Sequence, residues 1–330
     1  MTAHVLLIDG NSIAHACNSI TTMKSGEMET QAIYGFLRSL RVLVGGDRHA
    51  NDKKVVPYVL WDGRAQWRYD LLESYKGNRV AKTEEEELAK QRFRAQLPYL
   101  YAALSTLGIK QFRCPTQEAD DLGGHFSRAL SAAGVSVTLV SGDRDWTGLV
   151  NELVDWYDPI RDKRVDHFSF KEVTGAPGPK AYYQLKALQG DTSDNIAPMK
   201  RLGKNAQPFL ELWGTMENFY AAVDSGQYQV KKASKGAKNP HYEEYMASPE
   251  GRAHFALNMQ LMDLSTPQPE GSIPPLSKLV FADNGSGANP EKFIKLCERL
   301  GFLSILKKMD DFLGTFGLGN PRTGFSPIPF

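Results

Sequence analysis

Three apolar runs, at residues 3–8, 55–61 and 135–141, each end on an acidic residue, and they constrain the fold more than any other feature of the chain. VLLIDG closes on Asp9, VPYVLWDG on Asp62, and LVSGDRD on Asp143 and Asp145. Such runs read as strands buried in a parallel sheet. Two intervening segments, TQAIYGFLRSLRVLV at 30–44 and residues 117–133, carry apolar residues at helical spacing, and Gly134 stands past the end of the second. IKQFRC at 109–114 and LVDWYD at 153–158 read as two further strands, and residues 10–29 as a loop. The alternation predicts an α/β domain whose parallel sheet is covered by helices.

Asp is a common turn residue, and a chain with 38 Asp and Glu holds close acidic pairs by chance, so one strand-end carboxylate carries little weight. Recurrence changes that. Glu118, Asp120 and Asp121 open the helical pattern at 117–133, and GDTSDN adds Asp191 and Asp194. Gathered at one rim of an α/β sheet, where ligand sites lie, this much negative charge needs divalent cations. All-oxygen donors suit Mg²⁺ or Mn²⁺. Two clusters can be drawn: Asp9, Asp62, Glu118 and Asp120 around one ion, and Asp143, Asp145, Asp191 and Asp194 around a second, with Asp121 nearby or bridging through water. Two ions roughly 4 Å apart activate water and stabilise the leaving oxygen in phosphodiester hydrolysis.

The net charge of +1 does not announce a nucleic-acid binder, yet it conceals a division between this acidic rim and basic stretches elsewhere. Three cysteines, Cys17, Cys114 and Cys297, lie far apart without Cys-x-x-Cys spacing, against a disulfide framework or a zinc site. The start MTAHVLLIDG lacks a basic region before an extended apolar core, and no run approaches the ~20 apolar residues of a membrane span. A cytoplasmic protein is expected.

Two regions interrupt the alternation. The stretch between Asp62 and the strand at 109–114 is longer than a crossover needs; it begins basic and aromatic (RAQWRYDLLESYKGNR) and continues as TEEEELAKQRFRAQL, where Thr83 and Glu86 form a capping box. It reads as a helical insertion over the carboxylate rim, bringing Lys76 and Arg79 to a scissile phosphate. From about 178 the chain turns helical, with Lys200, Arg201, Gly203 and Lys204 in a short loop between two helical patterns. The NH groups opening the next helix can meet a phosphate there; a plain connection with solvated lysines is the alternative. KKASKGAKNP at 231–240 is a basic loop, 250–264 a helix, 265–290 a Pro/Gly-rich linker, and the tail from 317 is expected to be poorly ordered.

In order along the chain, LLIDGNS, WDG, YKGNR followed by TEEE, EADD, SGDRDW and GDTSDNI resemble the flap endonuclease and 5′ nuclease family, including the phage-type enzymes and the 5′-nuclease domain of bacterial DNA polymerase I. The resemblance covers about residues 3–225. It implies a PIN-like nuclease core at 1–177 with a helical arch at 64–98. A helical DNA-binding region at 178–316 would follow, with a helix-hairpin-helix at 190–213 and a tail at 317–330. By that similarity the nine carboxylates align with the family's metal-site residues, and Tyr75, Lys76 and Arg79 with arch residues that stack on and polarise the substrate; Tyr75 equally suits packing within the arch. Lys200, Arg201, Gly203 and Lys204 fall on the DNA anchor. One departure stands out: the family's Gly-hydrophobic-Gly is Arg201-Leu202-Gly203 here. A bulky residue at the first position is expected to disturb the carbonyls that bind K⁺ beside the DNA phosphate.

The implied activity is metal-dependent 5′→3′ exonuclease and flap endonuclease cleavage of branched or nicked DNA, or of RNA–DNA hybrids at primers, by a monomer of phage or bacterial type with a possible polymerase partner. A small-molecule phosphohydrolase would need neither arch nor DNA anchor. A PIN-type ribonuclease and a non-catalytic branched-DNA binder are the other readings.

Overall fold

The computed structural model of the protein describes residues 3–20, 22–46, 54–233, 241–269, 271–279, 281 and 287–324. Eight strands form among them: β1 (Ala3–Asp9), β2 (Lys24–Ser25), β3 (Met28–Glu29), β4 (Lys54–Trp61), β5 (Lys110–Arg113), β6 (Ser136–Val140), β7 (Val154–Asp158) and β8 (Lys163–Val165). Six make one sheet in the order β5-β4-β1-β6-β7-β8, and β2 and β3 pair separately. All neighbours in the large sheet are parallel except β8, which runs antiparallel to β7.

Side-chain alternation along β1 divides the core into two layers. Leu6 and Ile8 join Ile13, Phe36, Leu40, Leu100 and Phe293 on one face. Val5 and Leu7 join Leu122, Phe126, Trp146 and Tyr183 on the other. Burial on both faces is why these strands read as unbroken apolar runs. The helices Pro179–Gln189, Ala206–Trp213 and Met216–Asp224 add Leu188, Phe209 and Phe219 to the second layer. The closing helices Pro290–Arg299 and Met309–Thr315 send Phe293 and Phe312 into the first.

The chain moves outward from β1 through β4 to β5, then returns to the opposite side of β1 for β6 and β7. Strand order therefore reverses beside β1, and the crevice at the carboxyl ends of such a reversal is where α/β sheets hold ligands. Asp9 ends β1, Asp62 follows β4, and Asp143 follows β6. One crevice receives all three.

The structure departs from the sequence reading between residues 10 and 29. Gly10–Ile20 is a helix, starting directly after the last residue of β1, and β2 and β3 form a hairpin after it. The Asp9 carboxylate accepts from the Ser12 backbone NH at 2.9 Å, so the strand's terminal acid caps the helix. Gly10 is required by packing, because a Cβ there would lie 2.5 Å from the Trp61 ring. In the tail, Asn320 is buried, with its amide on Asp310 at 2.7 Å, and the exposed Arg322 forks onto Glu298, so the start of the expected loose tail is tied down by hydrogen bonds. Residues 325–330, and 234–240 of the basic loop, lie outside the described residues.

Candidate active site

At the crevice, a cavity of about 270 Å³ is lined by Asp9, Asp62, Asp120, Asp143, Asp145, Asp191 and Asp194, together with Lys76 and Arg79. Seven of the nine expected carboxylates thus meet in one place. Each is held by local hydrogen bonds that follow from its position on an element. Asp9 also accepts from Ser141 Oγ at 2.8 Å. Asp62 accepts from the Ala119 NH at 2.9 Å, tying the end of β4 to the start of the helix Ala119–Ala132. That junction is close-packed: Gly63 donates to the Gln117 carbonyl at 2.8 Å, and a Cβ on Gly63 would collide with the Cys114 carbonyl. The Asp120 carboxylate accepts from Trp146 Nε1 at 2.7 Å, and the Asp143 side chain accepts from the Asp145 NH at 2.8 Å.

The charges conflict. Burial, and then repulsion from Asp62, pushes the Asp9 carboxyl up to about 7. Burial with the charges of Asp143 and Asp9 raises Asp120 well above the usual carboxylate range. Burial also raises Asp62 and Asp143. A set of oxygen donors held near one another against their own repulsion is matched to divalent cations, which relieve both the burial cost and the repulsion. As the side chains stand, no three of these donors among the described residues converge tightly enough to enclose an ion.

Three protein cations pair with carboxylates of the site. Lys76 Nζ lies 2.6 Å from Glu118 and 3.7 Å from Asp194; Arg79 lies 2.5 Å from Asp194; Lys186 Nζ bonds Asp145 and lies 3.9 Å from Asp191. The insertion carrying Lys76 and Arg79 comprises a helix at Gln66–Leu71, a short 3₁₀ turn at Gly77–Arg79, and the helix Glu84–Thr106. It lies down on the 191–195 loop: Lys76 NH donates to the Asp194 carbonyl at 2.9 Å, and Asn78 Nδ2 to the Thr192 carbonyl at 2.6 Å. Lys76 sits at φ 52°, a left-handed conformation that costs a non-glycine residue roughly 1–3 kcal/mol. Thr83 caps the long helix by accepting from the Glu86 NH at 3.2 Å, while Glu86 returns its carboxylate to the Lys82 NH, one residue earlier than a capping box requires.

Glu118 and Asp121 do not line the cavity. Asp121 takes a two-pronged bond from the buried Arg68 guanidinium at 2.7 and 2.8 Å and caps its helix through the Glu118 NH, so its charge is spent on structure. Glu118 contacts Arg68, Tyr75 and Lys76; burial raises its carboxyl, but Lys76 and Arg68 outweigh that and hold it below the usual range. Tyr75 is 2 % exposed and donates to Glu118 and Asp194 at 3.0 Å, so it packs the arch and presents no face to a base. This corrects the stacking role and keeps the packing alternative.

Within 190–213, where a helix-hairpin-helix is expected, the preceding helix has already ended at Gln189, and Gly203–Asn205 is a 3₁₀ turn leading into the helix Ala206–Trp213. Arg201 adopts φ 65° and Gly203 φ 48°. The two outer positions of the Arg201-Leu202-Gly203 motif thus bracket Leu202 with left-handed backbone. Lys200 is drawn to Glu250 at 2.6 Å and lies over the Tyr245 ring, while Lys204 is exposed.

Sequence reasoning passed over Arg68, Trp146 and Lys186. Lys186 carried the clearest signal, a lone cation among Tyr182, Tyr183, Leu185, Ala187 and Leu188, all of them buried. Burial lowers its ammonium despite the pull of Asp143 and Asp191.

A family model described as 5′-3′ exonuclease, N-terminal resolvase-like domain, matches residues 4–175. DNA polymerase I of Lactococcus lactis is 30% identical over 285 residues, 80% of this chain and 29% of the relative. The thermostable DNA polymerase I of Thermus filiformis is 33% identical over 225 residues, 67% and 25% respectively. The chain thus spans less than a third of the length of these relatives. Among solved structures, T5 5′-exonuclease with bound zinc superposes with a TM-score of 0.64 at 18% identity, covering 95% of this chain and 99% of that one. The catalytic core of Rad2 in complex with DNA substrate gives 0.53 at 14%, covering 96% and 92%. With the order of its motifs, its sheet topology and a family match over more than half its length in agreement, the chain belongs to the 5′-3′ exonuclease family.

Proposed function

We propose that the protein is a metal-dependent 5′→3′ exonuclease and flap endonuclease that hydrolyses DNA phosphodiesters near a 5′ end. The observation that carries this reading is the single cavity in which seven carboxylates face two cations of the arch, Lys76 and Arg79. Asp9, Asp62 and Asp120 suit one divalent ion, and Asp143, Asp145, Asp191 and Asp194 a second; Glu118 and Asp121 support from behind. When bound, such ions make water a nucleophile at neutral pH and stabilise the leaving oxygen. Lys76 and Arg79, now paired with Glu118 and Asp194, are placed to turn to a phosphate, a better partner for charge that develops in the transition state. The ring of Tyr75 fixes the arch while they do so. Lys200, Arg201, Gly203 and Lys204 would hold duplex backbone at the hairpin, reading shape rather than sequence.

Mg²⁺ and Mn²⁺ both fit the oxygen donors. With Arg201 at the first position of the motif, little K⁺ binding is proposed at this turn. T5 flap endonuclease in complex with DNA and metal ions shares this fold, with a TM-score of 0.61 at 19% identity. Incubating the protein with labelled 5′-flap, nicked, single-stranded and RNA–DNA substrates in Mg²⁺ tests the reading. Cuts close to the flap junction and release from 5′ ends are expected. Cleavage of single-stranded RNA alone would make it a ribonuclease, and binding without cleavage a DNA-binding protein.

A further inference from the structure

The helix Pro179–Gln189 is pinned to the acidic loop after β6 by two phenols: Tyr182 OH donates to the Arg144 carbonyl at 2.7 Å, and Tyr183 OH to the Asp145 carbonyl at 2.9 Å. That grip fixes where Lys186 points. Its Nζ bonds Asp145 Oδ1 and approaches Asp191 Oδ2 at 3.9 Å, and its side chain is only 17% exposed. Neither Asp145 nor Asp191 has another cation within ion-pair distance among the described residues. On this side of the cavity Asp145 and Asp191 thus share one ammonium as their cation.

We propose that in the metal-free protein Lys186 serves as the resident counter-ion at the second divalent-cation position, and that the second ion binds by displacing it. The inference rests on the two-cation reading above and assigns a further role to one of this chain's own residues. The physical reason is competition. Octahedral Mg²⁺ draws its ligands to about 2.1 Å, whereas an ammonium directs three donors at the same carboxylate oxygens. A single charge and a double charge sharing Asp145 and Asp191 would also repel one another across a few ångströms of poorly solvated space. Lys186 thereby keeps Asp145 and Asp191 from standing uncompensated, at the cost of weakening the affinity for the second ion.

Calorimetric titration of the whole protein with Mn²⁺, without DNA, tests this on wild type, Lys186→Met and Lys186→Arg. Two binding events are expected in each, with the second at least roughly fivefold tighter in Lys186→Met because a competing charge is gone, and close to wild type in Lys186→Arg. In parallel, the Lys186 Nζ resonance of ¹⁵N-lysine-labelled wild-type protein should shift with the second equivalent of Mg²⁺ and not with the first. This second measurement does not depend on the folding of any variant. Two ions bound with a second affinity equal or weaker in Lys186→Met, or a Lys186 resonance unmoved at saturation, would overturn the exchange and leave Lys186 a permanent neighbour of the ions. Absence of any Mn²⁺ binding by wild type would overturn the metal-dependent reading itself, a distinct result.

Discussion

Burial and mutual repulsion keep Asp9, Asp120 and Asp143 protonated to higher pH than an ordinary carboxyl, with Asp9 held up to about 7. Unfolded, the same groups lose their protons near pH 4. Metal-free folded protein therefore binds more protons than the unfolded chain across that window. The stability this confers is fully present below the unfolded value and is lost as pH rises through about 7. In EDTA the Tm should rise as pH falls from 8 to 6.5, and Mn²⁺ at pH 8 should recover the loss. Below that range His15 and His125, lowered by burial, oppose the trend. A flat or inverted Tm profile in thermal melts would show that the cluster is not frustrated. The residue scale also separates Lys76 from a solvated lysine. Lys76→Ala should lower single-turnover cleavage at least roughly tenfold, as for other groups that stabilise transition-state charge, with duplex affinity little changed.

At the scale of elements, the arch is fastened by Arg68, whose guanidinium is buried against Asp121 and Glu118 and whose Nε donates to the Leu261 carbonyl at 3.1 Å. Removing one partner of a buried pair strands the other, which costs about 3–5 kcal/mol. Arg68→Ala should lose stability on that scale in urea unfolding, and replacing Asp121 by Leu in the same chain should recover part of it. Arg68 was illegible in the sequence because nothing in WRYD marks an arginine that turns inward. The strands were legible for the opposite reason: burial on both sheet faces leaves continuous apolar runs, and their terminal acids mark the crevice. Gly10–Ile20 escaped notice because it opens with Gly-Asn-Ser, which favours turns, and buries only Ile13, Ala14 and Cys17 besides Gly10. The cap that makes it a helix belongs to the preceding strand. Tyr75 shows the same limit, since an aromatic beside basic residues suits stacking and packing equally until its burial is known.

For the whole molecule, the proposed function divides the labour, with cutting at the acidic cavity and holding at the exposed Lys204. Lys200 is engaged by Glu250, so Lys204 is the better test of the anchor. Lys204→Ala should weaken binding to every duplex substrate alike and lower the salt slope by about one, the contribution of one phosphate contact. Fluorescence anisotropy across a salt series measures it, and an unchanged slope would move the anchor elsewhere. Comparing K⁺ with Na⁺ at equal ionic strength in the same assay probes the turn at Arg201: little K⁺ gain is expected with Arg201 in place of the glycine, and a clear K⁺ preference would show that the loop keeps a cation site. The central claim, that the carboxylate cavity cuts DNA through divalent cations, is tested most directly by the single-turnover rate of wild-type protein on a labelled 5′-flap in Mg²⁺ and in excess EDTA. The account predicts cutting near the junction in Mg²⁺ and none in EDTA; equal cutting in both would contradict it.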